Sequence, residues 1–296
     1  MTGGDLLKRE TIMALITVLM WSTLAPAVKL TMTEIPTLEM LSITAGLAFL
    51  FLLLYNGIRG KLSLLRKMPF RTILKMAGLG FLGLFLYSAL YYYGIDQLTS
   101  SEACILNYLW PMMIVLFSGL LLHEPMTARK IISMLLSFLG IVILSLGGDH
   151  GTGNAILGIL ACIIAAACYG LFSVLNKKAD MDQELTMMVI WLTTSLCAAL
   201  CSLFGEPWVP IHGLSWLGLV WIGVFLNAIA YLLWALAINS SDSTASIANL
   251  AYLVPLLSMV LSILFLHEPL RLRVVLALVL IVGGILLQNL APKKSA

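Results

Sequence analysis

One long apolar segment of the chain occurs twice, 144 residues apart. Residues 107–111 read Asn-Tyr-Leu-Trp-Pro and lead through an uncharged run to His-Glu-Pro at 123–125. Residues 251–255 read Ala-Tyr-Leu-Val-Pro and lead through a second uncharged run to His-Glu-Pro at 267–269. Because each copy of a repeat adopts the same substructure, we expect two equivalent halves.

The composition places both halves in a membrane. Hydrophobic residues make up 61% of the 296 residues, and charged residues only 10%. A soluble globular domain carries about 25% charged residues, because its surface faces water. A large soluble helical protein would need polar helix faces, which this chain lacks. The sequence therefore predicts a helical protein that crosses the membrane several times.

Ten stretches are long enough to cross the bilayer, which takes about 20 mostly apolar residues. The predicted spans are about 11–32, 37–56, 72–95, 99–122, 129–147, 155–176, 184–204, 214–238, 243–266 and 272–290. The short loops between them predict antiparallel neighbours. The longest polar segment covers about 57–71, so we expect no separate extramembrane domain.

The basic residues predict the orientation of these spans. With a cytoplasmic N-terminus, the cytoplasmic segments hold all but three of the 17 Lys and Arg residues. The exceptions are Lys29, Arg271 and Arg273. Because Lys and Arg accumulate in cytoplasmic loops, both termini are predicted to be cytoplasmic, in a multi-pass protein of the cell membrane.

The repeat and the ten spans together predict inverted symmetry. Phe81, Leu82 and Tyr87 recur at the same offset as Phe225, Leu226 and Tyr231, so each half holds five spans. Five is odd, and the second half, residues 149–296, is therefore upside down relative to residues 1–148. The predicted fold is an all-α membrane protein of ten transmembrane helices, arranged as two inverted five-helix repeats around a central cavity. Such repeats are typical of secondary transporters, with the substrate near the midplane.

Aromatic and amide side chains, rather than charges, lie at predicted membrane depth. We predict that the substrate-binding residues are Trp21, Tyr87, Tyr91, Asn107, Tyr108, Trp110, Tyr169, Asn227, Tyr231, Ser246, Asn249 and Tyr252. On one continuous helix, Tyr108 and Trp110 would not share a face, so only part of that group should line a cavity. The alternative is helix packing, and an interfacial aromatic belt explains Tyr92 and Tyr93.

Other residues are candidates for hinge motion, helix packing or proton coupling. Pro111 and Pro255 lie mid-helix and are predicted to kink their helices as hinges, freeing the carbonyls of Asn107 and Ala251. Gly78, Gly80 and Gly83 are predicted to allow close helix packing. Glu102 is the possible proton carrier. The alternative for Glu102, as for Lys29 and Glu39, is an interfacial side chain that reaches for water.

Several of these residues resemble a known family. The signs are Trp-Ser-Thr at 21–23 with Lys29, and a mid-helix proline followed by Glu-Pro in both halves, at 124–125 and 268–269. Over nearly its whole length the chain resembles the drug/metabolite transporter superfamily, in its ten-helix form of two EamA-type repeats. The segments 107–111 and 231–234 are similar to YddG-type exporters of aromatic and other amino acids. The resemblance implies a ten-helix bundle with a central cavity that works by alternating access.

The motifs that the sequence lacks exclude several classes of function. The sequence has no His-Glu-x-x-His, no phosphate-binding glycine loop and no Gly-x-Ser-x-Gly, so it predicts no enzyme, and no cofactor or metal site. We expect a transporter of small organic metabolites, most simply an exporter of amino acids. Its partners would be that small-molecule substrate and the lipid bilayer, not nucleic acid, in a monomer or weak homodimer. The alternatives are a drug or choline-like quaternary-amine transporter of the same fold, and a membrane enzyme or scaffold.

Overall fold

The computed structural model describes residues 9–123, 127–145, 154–179, 181–240, 250–251 and 253–289. Within those ranges all regular structure is helical and no β-strand is formed, as predicted. Several sequence predictions lie outside the described residues: the site residues Ser246, Asn249 and Tyr252, the Glu-Pro pair at 124–125, and the boundary between the halves at 148–149.

The helices follow one another with short connections. In the first half they are α1 (Arg9–Ser22), α2 (Leu24–Thr31), α3 (Thr37–Ile58), α4 (Leu62–Lys67), α5 (Phe70–Gly80), α6 (Tyr87–Gln97), α7 (Ser100–Asn107), α8 (Trp110–Leu122) and α9 (Ala128–Ser145). In the second half they are α10 (Ala155–Ala179), α11 (Gln183–Gly205), α12 (Ser215–Val220), α13 (Ala230–Ser240), α14 (Leu253–Leu266) and α15 (Leu272–Asn289). The π-helical segments Phe81–Leu86 and Trp221–Ile229 join α5 to α6 and α12 to α13.

Seven helical stretches of the described chain are long and apolar enough to cross a membrane. They are Arg9–Thr31, Thr37–Ile58, Phe70–Gln97, Ser100–Leu121, Ala155–Ala179, Gln183–Gly205 and Ser215–Trp234. Shorter apolar helices, Met134–Ile143, Leu253–Leu266 and Leu272–Gly284, lie at the other three predicted spans. The protein is therefore a multi-pass membrane protein. That it has ten spans stays a prediction.

The fourth predicted span contains a two-residue turn just before Pro111. Helix α7 ends at Asn107, and α8 begins at Trp110, with Pro111 in its first turn. A proline costs little there, because the first N–H groups of a helix have no intrahelical partner. Pro255 likewise lies in the first turn of α14. The prediction of prolines in the middle of continuous helices is therefore wrong at Pro111, where the helix breaks at residues 108–109.

The two π-helical segments occupy corresponding positions in the two halves. Adding the offset of 144 to Phe81–Leu86 gives residues 225–230, which overlap Trp221–Ile229. A π-helical turn accommodates an extra residue, changes the direction of the following side chains and is frequent at functional sites. Two predicted site residues lie just after these segments: Tyr87 follows the first directly, and Tyr231 follows the second after Ala230.

Close packing of α5 and its π-helical segment uses two of the three glycines. A Cβ on Gly80 would lie 3.0 Å from the Cα atom and carbonyl oxygen of Ile190 in α11, and one on Gly83 would lie 2.2 Å from the ring of Phe172 in α10. A Cβ on Gly78 would meet no atom within 4 Å. The packing prediction therefore holds for Gly80 and Gly83 and is wrong for Gly78.

Equivalent helix ends also share a rare backbone conformation. His123 follows α8 and His267 follows α14, and both have φ of 54°. Left-handed backbone is uncommon for residues other than glycine. These two histidines occupy the same position in the paired His-Glu-Pro segments.

Three charged residues predicted to reach for water instead form polar contacts within the protein. Lys29 donates hydrogen bonds to the carbonyl oxygens of Ile95, Asp96 and Leu98 at the end of α6, at 2.5, 2.9 and 2.9 Å. Glu39 and Glu102 are each only 1% exposed. Glu39 accepts from the backbone of residue 209 at 3.1 Å. The interfacial interpretation of Glu39 and Glu102 is wrong, because tertiary contacts supply the polar partners that water was expected to supply.

Candidate functional site

Predicted site residues from five regions of the chain meet around one internal cavity of about 60 Å³. The nine that line it are Trp21, Tyr87, Tyr91, Asn107, Tyr108, Trp110, Tyr169, Asn227 and Tyr231. They are every predicted site residue within the described part of the chain. Their role in substrate binding stays a prediction.

Aromatic rings in edge and tilted contact form the walls of the cavity. The ring centroids of Trp21 and Tyr231 are 5.2 Å apart in an edge arrangement. Those of Trp110 and Tyr169 are 5.4 Å apart, again edge to face, and Tyr169 lies 5.0 Å from Tyr87. Such pairs present both ring faces and ring edges, so the walls suit an apolar or aromatic body.

The break between α7 and α8 brings Tyr108 and Trp110 to the same cavity. Their ring centroids lie 6.1 Å apart, and both side chains line the cavity. On a continuous helix the two side chains would point about 200° apart. The prediction that only part of this group lines the cavity is therefore wrong, because the helix does not continue through residues 108–109.

Two hydrogen bonds fix the polar groups of the site. Asn107 donates through Nδ2 to the Tyr87 hydroxyl at 3.0 Å, and the Tyr108 hydroxyl donates to the carbonyl oxygen of Ala251 at 2.7 Å. The Ala251 carbonyl is one of the two groups predicted to be freed by a proline. Tyr108 therefore supplies the hydrogen bond that Pro255 cannot donate.

Three buried polar atoms of the cavity walls have no hydrogen-bond partner in the described part of the protein. They are Oδ1 of Asn107, Nδ2 of Asn227 and Nε1 of Trp191. Buried polar groups are normally paired, and the exceptions call for a ligand or water. The site thus offers one acceptor, on Asn107, and two donors, on Asn227 and Trp191, to a bound molecule.

Sequence reasoning missed two aromatic residues of the cavity. Trp191 is 2% exposed and lines the cavity from α11. Trp191 lies about a third of the way along its predicted span. The other aromatic residues were selected by the same distance from the span ends, so this distance could have identified Trp191 too. Tyr92 was assigned to an interfacial belt, yet it is also 2% exposed and lines the cavity, so that assignment is wrong. Tyr93 is 38% exposed, as a belt residue should be.

The lining residues are uncharged, and Glu102 is not among them. An oxygen of Glu102 lies 3.1 Å from Nη2 of Arg273. The same carboxylate forms a capping box with Thr99 at the start of α7. Glu102 therefore has a structural position beside the cavity, and its role as a proton carrier stays a prediction.

With the side chains in their positions in this structure, the cavity is small. A volume of about 60 Å³ holds several water molecules, since one water needs about 10–15 Å³ on this measure.

Comparison with known proteins agrees with this architecture. Residues 8–146 and 156–290 each match the EamA-like transporter family. The chain is 29% identical to the aromatic amino acid exporter YddG of Ancylobacter novellus, over 96% of this chain and 98% of the exporter. It is also 29% identical to the uncharacterized transporter YvbV of Bacillus subtilis, over 72% of this chain and 70% of that protein. A solved crystal structure superposes with a TM-score of 0.69 at 26% identity, covering 94% of this chain and 96% of that one.

Proposed function

This chain belongs to the EamA-like transporter family, and we propose that it is a secondary transporter that exports amino acids, aromatic ones included, by alternating access. The observation that carries the proposal is the uncharged cavity lined by aromatic rings, to which two amide side chains add polar groups. The similarity to a protein named as an aromatic amino acid exporter supports it.

The polar groups of the cavity suit a zwitterion with an apolar side chain. Oδ1 of Asn107 accepts from an ammonium group, and Nε1 of Trp191 donates to a carboxylate. The faces of Tyr and Trp rings attract the same ammonium and pack against an aromatic side chain. A phosphate or sugar phosphate would call for Arg or Lys at the site, and the lining residues include neither.

We propose that the architecture is ten spans in two inverted repeats, residues 1–148 and 149–296. The matching φ values of His123 and His267 and the matching π-helical segments support it. So does the contact of Ser137 with Ile281, which differ by the repeat offset, because equivalent residues meet near a two-fold axis. In this arrangement Pro111 and Pro255 start equivalent half-helices beside the cavity and act as hinges when one repeat rocks against the other.

The distribution of Lys and Arg supports cytoplasmic termini and a place in the cell membrane. We propose that the protein works there as a monomer or weak homodimer. Export would then carry substrate from the side rich in basic residues to the side of Lys29, Arg271 and Arg273, and Glu102 is the proposed carrier if protons drive the transport.

A second candidate function is the transport of quaternary amines. Its support is the number of Tyr and Trp rings around the cavity, since aromatic cages bind choline-like cations without hydrogen bonds. The unpaired donor of Trp191 favours the amino acid, because a quaternary amine has no acceptor for it.

Proteoliposomes loaded with unlabelled compound test both candidates. We expect accumulation of labelled phenylalanine or tryptophan by counterflow and little accumulation of labelled choline. Choline counterflow alone would favour the second candidate. Counterflow of neither compound by folded protein would contradict both.

Two tryptophan variants test whether the substrate binds in the central cavity. Trp110 lines the cavity, whereas Trp208 is 46% exposed outside it. We expect Trp110→Ala to reduce transport about tenfold or more, as the loss of a buried aromatic contact does. Trp208→Ala should leave transport near the wild-type level at equal expression. Equal losses in the two variants would argue against the proposed site.

A further inference from the structure

A second cavity of about 70 Å³ adjoins the central one. The two cavities share Trp191, Asn227 and Tyr231 in their walls. At its other end the second cavity is lined by Gln183 and Glu184, in the first turn of α11. It therefore runs from the central rings to a carboxylate at a helix end.

An ion-pair cluster lies at that end. Nζ of Lys61 is 3.0 Å from Oδ2 of Asp182 and 3.0 Å from Oε2 of Glu184. One ammonium group is thus shared by two carboxylates. Asp182 also accepts from the backbone N–H groups of Glu184 and Leu185 as the N-cap of α11. Asp182 is therefore needed by the helix, and Glu184 is the carboxylate able to change partners.

The partition between the two cavities consists of side chains. Trp191 and Tyr231 meet edge to face with centroids 5.9 Å apart. The Nε1 atom of Trp191 has no hydrogen-bond partner within the described ranges, although the side chain is 98% buried. A donor held at the partition is available to a molecule that passes from one cavity to the other.

We propose that the second cavity is a side entrance for the substrate, and that Glu184 binds the substrate's ammonium group in exchange for Lys61. This inference rests on the proposed function, in which the central cavity binds amino acids. At the entrance the incoming ammonium replaces the lysine ammonium beside Glu184, so no buried charge is left unpaired. An anion has no ammonium group that could replace that of Lys61 beside Glu184. Glu184 therefore favours the entry of zwitterions and cations over that of anions.

Thiol labelling tests the entrance without relying on transport. Met187 lines the second cavity and is replaced by cysteine in a variant whose five native cysteines are changed to alanine. With each rate divided by that reagent's rate with a free thiol in solution, we expect a cationic methanethiosulfonate to react about tenfold faster than an anionic one, a ratio equivalent to about 1.4 kcal/mol. Adding Glu184→Gln should bring the two rates together. Equal rates with Glu184 present would overturn the proposal.

Transport kinetics with the native cysteines provide the second test. We expect Glu184→Gln to raise the KM for phenylalanine about tenfold and Lys61→Gln to lower it, because Lys61 competes with the substrate for Glu184. Equal increases in both variants would show a structural ion pair and overturn the inference. If the wild type transports no amino acid, the proposed function fails, and the labelling ratio still reports on the entrance.

Discussion

The hydroxyl of Tyr108 donates a 2.7 Å hydrogen bond to the carbonyl oxygen of Ala251, four residues before Pro255. A proline removes the N–H that would otherwise bond to this carbonyl. The tyrosine of one repeated segment therefore bonds to a backbone carbonyl of the other, beside the central cavity. This contact ties the two halves together at the depth of the site.

Removing that hydroxyl should weaken the protein. We expect Tyr108→Phe to lower the free energy of unfolding by about 1 kcal/mol, the net value of a buried hydrogen bond. The cost is limited because the Ala251 carbonyl also accepts from the backbone N–H of Val254 at 3.0 Å. Thermal denaturation in detergent measures the change. Tyr93→Phe, at a side chain 38% exposed, is the matched control and should leave the midpoint unchanged.

The close approach at Gly83 predicts a clear difference between two glycines. Alanine at Gly83 would place its Cβ 2.2 Å from the ring of Phe172, which is 3% exposed and enclosed. We expect Gly83→Ala to destabilise the protein by about 1–3 kcal/mol, the usual cost of overpacking. Gly78→Ala adds a methyl group to open space and should be neutral or slightly stabilising. Similar denaturation midpoints for the two variants would contradict the packing described for α5 and α10.

The end of α6 should depend on Lys29. Its ammonium bonds to three carbonyl oxygens, which also carry the negative end of the helix dipole. We expect Lys29→Gln to cost about 1.5–3 kcal/mol, as hydrogen bonds to charged groups do. Lys75→Gln, at an exposed lysine, should change stability by less than about 0.5 kcal/mol. If Lys29→Gln unfolds at the wild-type temperature, these three hydrogen bonds do not stabilise the fold.

The cluster at the start of α11 predicts a pH dependence. Partial burial raises the pKa of Asp182, but the N–H of Leu185 and the ammonium of Lys61 lower it by more, so the pKa lies below its ordinary 3.8. Because the folded pKa is depressed, the stabilisation is present above the unfolded value and is lost as the pH falls through the folded one.

Asp182→Asn isolates this charge effect, because asparagine caps a helix about as well as aspartate. At neutral pH we expect the wild type to be more stable by about 0.5–1 kcal/mol, a value typical of partly exposed pairs. The difference should disappear as the pH falls below about 3.8. Denaturation midpoints of both proteins measured from about pH 3 to pH 7 provide the test. A difference that persists unchanged at the acidic end would contradict the assigned pairing.

Depth along the spans predicted residues that line the central cavity. Trp21 and Tyr169 were selected only because they lie far from the ends of apolar segments, and both line the cavity. Apolar length likewise predicted the long helices to within a few residues. These signals work because the bilayer imposes a fixed thickness and a penalty for polar groups that every span obeys.

Contacts between distant segments could not be read from the sequence. The hydrogen bonds of Lys29 to α6 join residues 66 to 69 positions apart, and no local pattern marks them. The break at residues 108–109 was read as a kink, because a proline in an apolar run does not reveal whether the helix bends or stops. Tyr108 and Trp110 line the same cavity because the helix does not continue through residues 108–109.

The small volume of the central cavity has an electrical consequence. Several water molecules surrounded by rings do not form a continuous file across the membrane, and an ion entering them would lose most of its hydration. Between turnovers the protein should therefore conduct no current. A cell that makes many copies would keep its membrane voltage and its proton gradient.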